Sequence, residues 1–153
     1  MRVMEPETLR QLYSTDYGAW LQQAAQHLRS GEGSQLDAEQ IADELEERLR
    51  DELDAAHRQN ARTIETLLRY RYGSGSADTP TEISVTTEQE ILRSCLELGE
   101  AFDAFLRQHM EKAYSLALKR FERQEGSQRQ APDTCPWSLE QIAGWADIAT
   151  ASD

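Results

Sequence analysis

Four carboxylates on one predicted helix have the clearest potential for chemistry in this chain. At ~100° per residue they fall within one narrow stripe: Glu44, Glu47, Asp51 and Asp54. Carboxylates at such spacing, on paired helices, hold magnesium in all-α nucleotide pyrophosphatases. The stripe therefore raises the hypothesis of a metal-dependent hydrolase that acts on a phosphorylated small molecule.

The apolar residues of the same helix argue against a metal site. They form a stripe whose centre lies roughly opposite the acidic one: Ile41, Leu45, Leu49, Leu53, Ala56, Ile64 and Leu67. Carboxylates that face away from a core usually form a solvated surface, and no second acidic helix is evident in the sequence. We interpret the four carboxylates as such a surface and expect no cofactor. The metal-dependent hydrolase remains the alternative.

Two polar residues fall within apolar helical faces. Asn60 lies between Ala56 and Ile64, and His109 lies among Phe102, Leu106, Ala113 and Leu116. A polar group buried without a partner costs about 1–3 kcal/mol. We expect both residues to be satisfied in the core, where they fix helix register or bond near a subunit seam. The alternative is an acid/base histidine, which requires a neighbouring carboxylate and a pocket.

The two cysteines offer no metal or catalytic pattern. Cys95 shares a face with Ile91 and Leu98 and is typical of a small buried hydrophobe. Cys135 precedes Pro136 without a histidine arranged around it, and the two thiols lack CxxC spacing. We therefore predict no catalytic residue. Two cysteines also form no disulfide framework, which favours a reducing compartment, the cytoplasm.

The charge balance restricts the classes of partner. The chain has 28 acidic and 16 basic residues and a net charge of −12, which repels a phosphate backbone or an anionic membrane. Its basic residues cluster modestly after the acidic stretch, at Arg58, Arg62, Arg69 and Arg71. A helix with acids at its front and bases at its back complements its own dipole. A nucleic-acid or toxin-neutralising regulator is therefore only a second alternative.

The elements that position these residues are predicted to be helices. Thr15 or Asp16 caps a first helix, which stops at residues 31–33. Asp37 caps a second helix that no Pro or Gly interrupts until Gly73. That helix is expected over residues 38–72. The apolar runs are too short to span a membrane, and the amino-terminal residues have no apolar run typical of a secretory signal.

The second half of the chain contains two further predicted helices. A linker rich in Gly, Ser and Thr covers residues 73–86, and Thr87 with Glu90 forms a capping box for a short helix ending near Gly99. A longer helix then continues to Gly126 and is expected to lie antiparallel to the helix over residues 38–72. A polar loop covers residues 126–137. We predict a single all-α domain over residues 1–153, with its core at 12–148: a bundle of about five helices around the long central one.

The last stretch, "CPWSLEQI", predicts a docked carboxy-terminal element. Pro136 separates the polar loop from a helix that Ser138 and Gln141 start as a capping box. Trp137, Leu139 and Ile142 are then expected to face apolar surface on the body, with Trp137 able to staple the helix entry. Cys135 lies at the start of this element, which extends to residue 148. The final "ATASD" is expected to fray.

Three stretches together resemble one protein family. "LYSTDYGAW" with "QQAAQHLRSG" is similar to its Tyr-x-x-Asp-aromatic-x-x-Trp opening, "LDAEQIADELEE" to its Ala-Glu-Glu-Ile-Glu signature, and "CPWSLEQI" to its closing motif. On these motifs the chain resembles the bacterial domain of unknown function 29 from about Leu12 to Ile142. The resemblance implies a small, mostly helical bacterial protein with no established activity. The stretch "RYRYGSGSADTPTEISVTT" lacks the basic, tryptophan-containing segment of the family, so no role of that segment is carried over.

The long amphipathic helix and the lack of convergent catalytic groups favour a non-catalytic helical interaction protein. A 35-residue helix exposes more apolar length than its shorter neighbours readily hide. We therefore expect a homodimer or a protein partner, and neither a membrane nor a nucleic acid.

Overall fold

The structure is a computed structural model that describes residues 6–33, 36–126 and 130–148. In these residues it contains seven helices and no strand, which confirms the all-α class. The helices are α1 (Pro6–Thr15), α2 (Tyr17–Ser30), α3 (Ala38–Tyr72), α4 (Glu82–Leu96), α5 (Glu100–Gln108), α6 (Met110–Glu125) and α7 (Leu139–Ile142). The residues predicted to fray after Ile148 lie outside the described ranges. None of the described helices combines the length and apolar character needed to cross a membrane.

Close contacts divide the chain into two compact units, residues 1–50 and residues 51–153. Each unit has its own cluster of buried apolar side chains. The single-domain organisation stays a prediction.

The first unit is built around α1 and α2. Asp16 separates these helices, and its carboxylate accepts a hydrogen bond from the Ala19 N–H at 3.0 Å, which makes it the N-cap of α2. Gly31 ends α2 with φ 77°, a left-handed conformation that glycine adopts without strain. Both predicted ends of this helix are therefore confirmed. Its core contains Leu9, Trp20 and Ala24, with Leu12, Tyr13, Leu36 and Ile41 packed against them.

Helix α3 is one continuous helix of 35 residues, as predicted. It begins where the Asp37 carboxylate accepts hydrogen bonds from the N–H groups of Glu39 and Gln40 at 3.1 and 3.4 Å. It ends at Tyr72, directly before the first glycine in its path, Gly73. No Gly or Pro interrupts the run, which allows a helix of this length.

The core of the second unit contains side chains from α3, α4, α5, α6 and α7. Its largest fully buried apolar side chains are Ile64, Leu68, Leu92, Leu106, Phe121, Leu139 and Ile142. The core thus joins the second half of α3 to every later helix, including the four-residue α7.

Helix α6 runs parallel to α3, so the predicted antiparallel arrangement is wrong. The Asn60 side chain contacts the Met110 sulfur at 3.8 Å. Further along both helices, Arg69 lies 3.8 Å from Glu125. Contacts that advance in the same direction on two helices define a parallel pair.

Helix α4 is the antiparallel neighbour of α3. Thr63 contacts the Glu88 carbonyl, whereas Arg69, further along α3, contacts the carbonyl of Asp78, which precedes α4. The chain therefore reverses twice between α3 and α6, first after Gly73 and again after α4.

Two predicted boundaries in the second unit are also wrong. Helix α4 begins at Glu82 rather than at Thr87, because Thr81 and Ser84 form the capping box, so the linker is shorter than residues 73–86. The single helix predicted after Gly99 is broken into α5 and α6 at His109, whose φ and ψ are −105° and 16°. Its ring lies 4.1 Å from that of Phe105. No Gly or Pro marks this break.

Candidate functional site

In the first unit, α1 and α2 cover one side of α3. Arg10 forms an ion pair with Asp37 at 2.9 Å, and the Tyr17 hydroxyl donates a hydrogen bond to Glu44. Ile41 packs against the core of this unit. The covered side of α3 therefore carries Asp37, Ile41 and Glu44.

The apolar side of α3 in the same unit is uncovered. We call Ala38, Ala42, Leu45 and Leu49 the leucine face, because these residues share one stripe at ~100° per residue. All four are exposed; the side chains of Leu45 and Leu49 are 67% and 47% exposed. Exposed leucines at helical spacing are typical of an interaction surface.

The same stripe continues along α3 into the second unit and becomes core. Leu53 is half-buried, and beyond it Ala56, Asn60, Ile64 and Leu67 are buried. The sequence pattern is uniform over this length. It predicted more apolar surface than the neighbouring helices hide, but not which residues stay exposed. In the structure these are Leu45 and Leu49.

Charged residues of both signs lie on one flank of the leucine face. Glu39, Glu46 and Arg50 are exposed and lie about 60–100° from Leu49 on the wheel, with Glu46 and Arg50 four residues apart. Because this flank has charges of both signs, an antiparallel second helix with the same residues can place opposite charges beside both Glu46 and Arg50.

The four acidic residues proposed as metal ligands do not act as one group. Glu44 bonds to Tyr17, and its hydrogen bond to Tyr13 raises the pKa of that tyrosine to about 12. Glu47, Asp51 and Asp54 are exposed. Within the described ranges, no group of three or more His, Cys, Asp or Glu residues is placed to hold a metal ion.

Asn60 and His109 differ in how their polar atoms are satisfied. Asn60 is 0% exposed; its Nδ2 reaches the Met110 sulfur at 3.8 Å, and its Oδ1 has no hydrogen-bond partner among the described atoms. The His109 Nδ1–H donates to the Phe105 carbonyl at 2.8 Å. The His57 ring lies 6.0 Å away, and burial lowers the pKa of His57, with His109 adding to the effect. That Asn60 and His109 fix the register of the helices as core residues stays a prediction.

The carboxy-terminal residues form a capped and buried element. The Gln141 N–H donates to Ser138 Oγ at 3.2 Å and the Ser138 N–H donates to Gln141 Oε1 at 3.0 Å, which is the predicted capping box. Trp137, Leu139 and Ile142 are buried, and Pro136 lies exposed before them. Cys135 is half-buried, and burial raises the pKa of its thiol. The element therefore joins the second core.

The chain is thus an all-helical protein with an uncovered leucine face and no assembled catalytic group among the described residues. It belongs to the family described as Domain of unknown function DUF29, whose sequence profile matches residues 12–145. This confirms the resemblance seen in its motifs. No curated protein and no solved structure matches the chain.

Proposed function

We propose that the protein is a non-catalytic helical interaction protein that forms a homodimer through the leucine face. The observation that carries the proposal is the change along one stripe of α3. Ile64 and Leu67 of this stripe are buried, whereas Leu45 and Leu49 are exposed. An apolar stripe left in water is a site for a second helix.

A second copy of the chain is the occupant that the charges favour. If two α3 helices cross in opposite directions about a two-fold axis near Glu47 and Arg48, Glu46 of each copy faces Arg50 of the other. The leucines of the two copies then lie against each other, as a two-fold interface requires. The same surface thus supplies both the apolar contact and the matching charges.

The exposed area indicates a weak dimer. Leu45 and Leu49 together expose about as much surface as one fully exposed leucine in each copy. Burying a leucine is worth about 1.5–3 kcal/mol, so two copies gain about 3–6 kcal/mol from these side chains. A Kd of about 1 μM corresponds to about 8 kcal/mol, and association has its own entropic cost. About 6 kcal/mol corresponds to a Kd of about 40 μM before that cost, so we expect a concentration-dependent dimer with a Kd of about 0.1 mM or above.

The test is sedimentation equilibrium of the L45E/L49E double variant and the unmodified chain over a range from about 10 μM to about 1 mM, which spans the expected Kd. The two introduced carboxylates lie at the centre of the interface and repel the same carboxylates of the other copy. The variant is therefore expected to remain at the monomer mass of 17.4 kDa. The matched control is L98E, because Leu98 is 61% exposed in the second unit and lies outside the leucine face. The control is expected to dimerise like the unmodified chain.

Two results contradict the proposal. One is an unmodified chain that stays monomeric across this range, which leaves the leucine face to a different protein. The other is a double variant whose dimerisation equals that of L98E.

The inferred location is the bacterial cytoplasm. Both cysteines are free thiols, which suits a reducing compartment. The metal-dependent hydrolase and the nucleic-acid or toxin-neutralising regulator have no comparable observation in their favour, and we do not propose them.

A further inference from the structure

The second unit contains a cavity of about 1000 Å³ that the homodimer does not use. Its walls come from the end of α3, the loop before α4, the first turns of α4 and the end of α6. Four arginines line it: Arg62, Arg69, Arg120 and Arg123. In the sequence, the helix dipole accounts for Arg62 and Arg69. The sequence does not show that α6 brings Arg120 and Arg123 to the same place.

The arginines present their charge on the open side of the cavity. Arg62 pairs with Glu88 at 3.1 Å, and Arg120 lies 3.8 Å from Glu65. In both pairs the carboxylate is the deeper partner: the two glutamate side chains are 14% and 15% exposed, against 68% and 44% for their arginines. Arg123 has no ion-pair or hydrogen-bond partner within the part of the chain that the structure describes.

The cavity is close to neutral in a chain whose net charge is −12. Its lining has four arginines and three carboxylates, and Glu125 lies 3.8 Å from Arg69 and balances the remaining charge. Asp78, one of the three carboxylates, belongs to the loop before α4. Its backbone carbonyl accepts a hydrogen bond from Arg69 at 2.7 Å. Arg123, unpaired among the described residues, and the outward guanidinium groups of Arg62 and Arg120 attract a small anion, while the charge of the whole chain repels a long polyanion.

Donors other than arginine also converge on the cavity. The Thr79 hydroxyl oxygen is buried and has no hydrogen-bond partner among the described atoms. Thr81 caps α4, a helix of 15 residues, so the positive end of its dipole lies at the cavity wall. Pro80 and Ile83 supply apolar surface beside these groups.

We propose that this cavity binds the phosphate group of a small phosphorylated molecule. Guanidinium groups match phosphate oxygens in geometry as well as in charge, and hydroxyls and helix amino termini are further phosphate donors. Arg123 and Arg120 contact the phosphate. The apolar residues lie against the carbon part of the ligand.

The test is isothermal titration of the full chain with glycerol 3-phosphate at low ionic strength, where charge interactions are least screened. Glycerol serves as the ligand without phosphate. Binding is expected for glycerol 3-phosphate alone. R123Q is expected to weaken it by at least about tenfold, since a hydrogen bond to a charged group contributes at least that factor.

The matched control is K119Q, which removes one positive charge from α6 at an exposed residue outside the cavity lining. Its affinity is expected to remain within about twofold of the unmodified chain. Because Arg123 has no partner among the described residues, R123Q is expected to keep the thermal unfolding midpoint, which is measured alongside. Two results overturn the proposal: no binding of glycerol 3-phosphate, or equal losses in R123Q and K119Q.

Discussion

Removing the side chain of Ile142 tests whether the carboxy-terminal element is part of the second core. Ile142 is 0% exposed and lies in α7, a helix of only four residues. A helix this short is unstable by itself, so its side-chain contacts hold it in place. I142A leaves a cavity in the second core and is expected to lower the free energy of unfolding by about 2–5 kcal/mol.

Two further substitutions calibrate that value within the same segment. S138A removes half of the capping box and is expected to cost about 1 kcal/mol. W145A truncates a side chain that is 51% exposed and is expected to change stability by about 0.5 kcal/mol or less. The expected order of destabilisation is therefore Ile142, then Ser138, then Trp145.

Urea unfolding followed by circular dichroism measures all three variants against the unmodified chain. The free energy of unfolding of a typical domain is about 5–15 kcal/mol, so a loss of about 2–5 kcal/mol is a large fraction of it. I142A is therefore expected to lower the urea midpoint clearly. An I142A midpoint equal to that of W145A refutes the reasoning, because the element would then be a loose appendage rather than part of the core.

Three other predictions concern buried or titrating groups. N60L replaces a fully buried amide whose Oδ1 has no described partner, and it is expected to raise the free energy of unfolding by about 1–3 kcal/mol, measured with urea. A free energy of unfolding below that of the unmodified chain contradicts this prediction. Burial lowers the pKa of His57, so the unfolded chain binds the proton first and stability falls as the pH drops below 6.5. H57Q is expected to flatten this fall in thermal melts recorded below pH 6.5. Burial raises the pKa of Tyr114 to about 12, so its contribution to stability is complete below pH 10 and lost towards pH 12. In an absorbance titration, Y114F is expected to show a smaller late tyrosine transition than the unmodified chain, and the rest of that transition includes the titration of Tyr13, whose pKa is also raised. A curve with an unchanged late amplitude refutes the prediction.

Local signals in the sequence predicted the helix starts and stops best. Asp16, Asp37 and the pair Ser138–Gln141 were identified as caps, because the hydrogen bonds of a cap join residues two or three positions apart. The length of α3 followed from an uninterrupted run without Gly or Pro. Such features depend on neighbouring residues and are readable without tertiary structure.

Helical periodicity did not reveal the two missed boundaries. The β-branched residues before Thr87 favour a loop or strand locally, yet Thr81 and Ser84 form a capping box and α4 begins at Glu82. The break at His109 involves a hydrogen bond and ring contact with Phe105, which helical periodicity does not reveal.

The candidate sites depend on which helices become neighbours. Leu45 and Ile64 have the same sequence signature, so the stripe that contains both gave no sign that only its second half is covered. The arginine cavity likewise joins α3 and α6, whose parallel direction was predicted wrongly. Exposure and convergence are properties of the packed chain, not of any single helix.

The most direct test of the homodimer is a charge-swap mixing experiment at Glu46 and Arg50. E46R and R50E each place like charges opposite one another in a self-paired α3, so each variant alone is expected to sediment near the monomer mass of 17.4 kDa. An equimolar mixture restores opposite charges across the interface and is expected to form a dimer of about twice that mass. A mixture that sediments as monomer while the unmodified chain forms dimers, or variants that each dimerise as well alone as together, contradicts the pairing through this face.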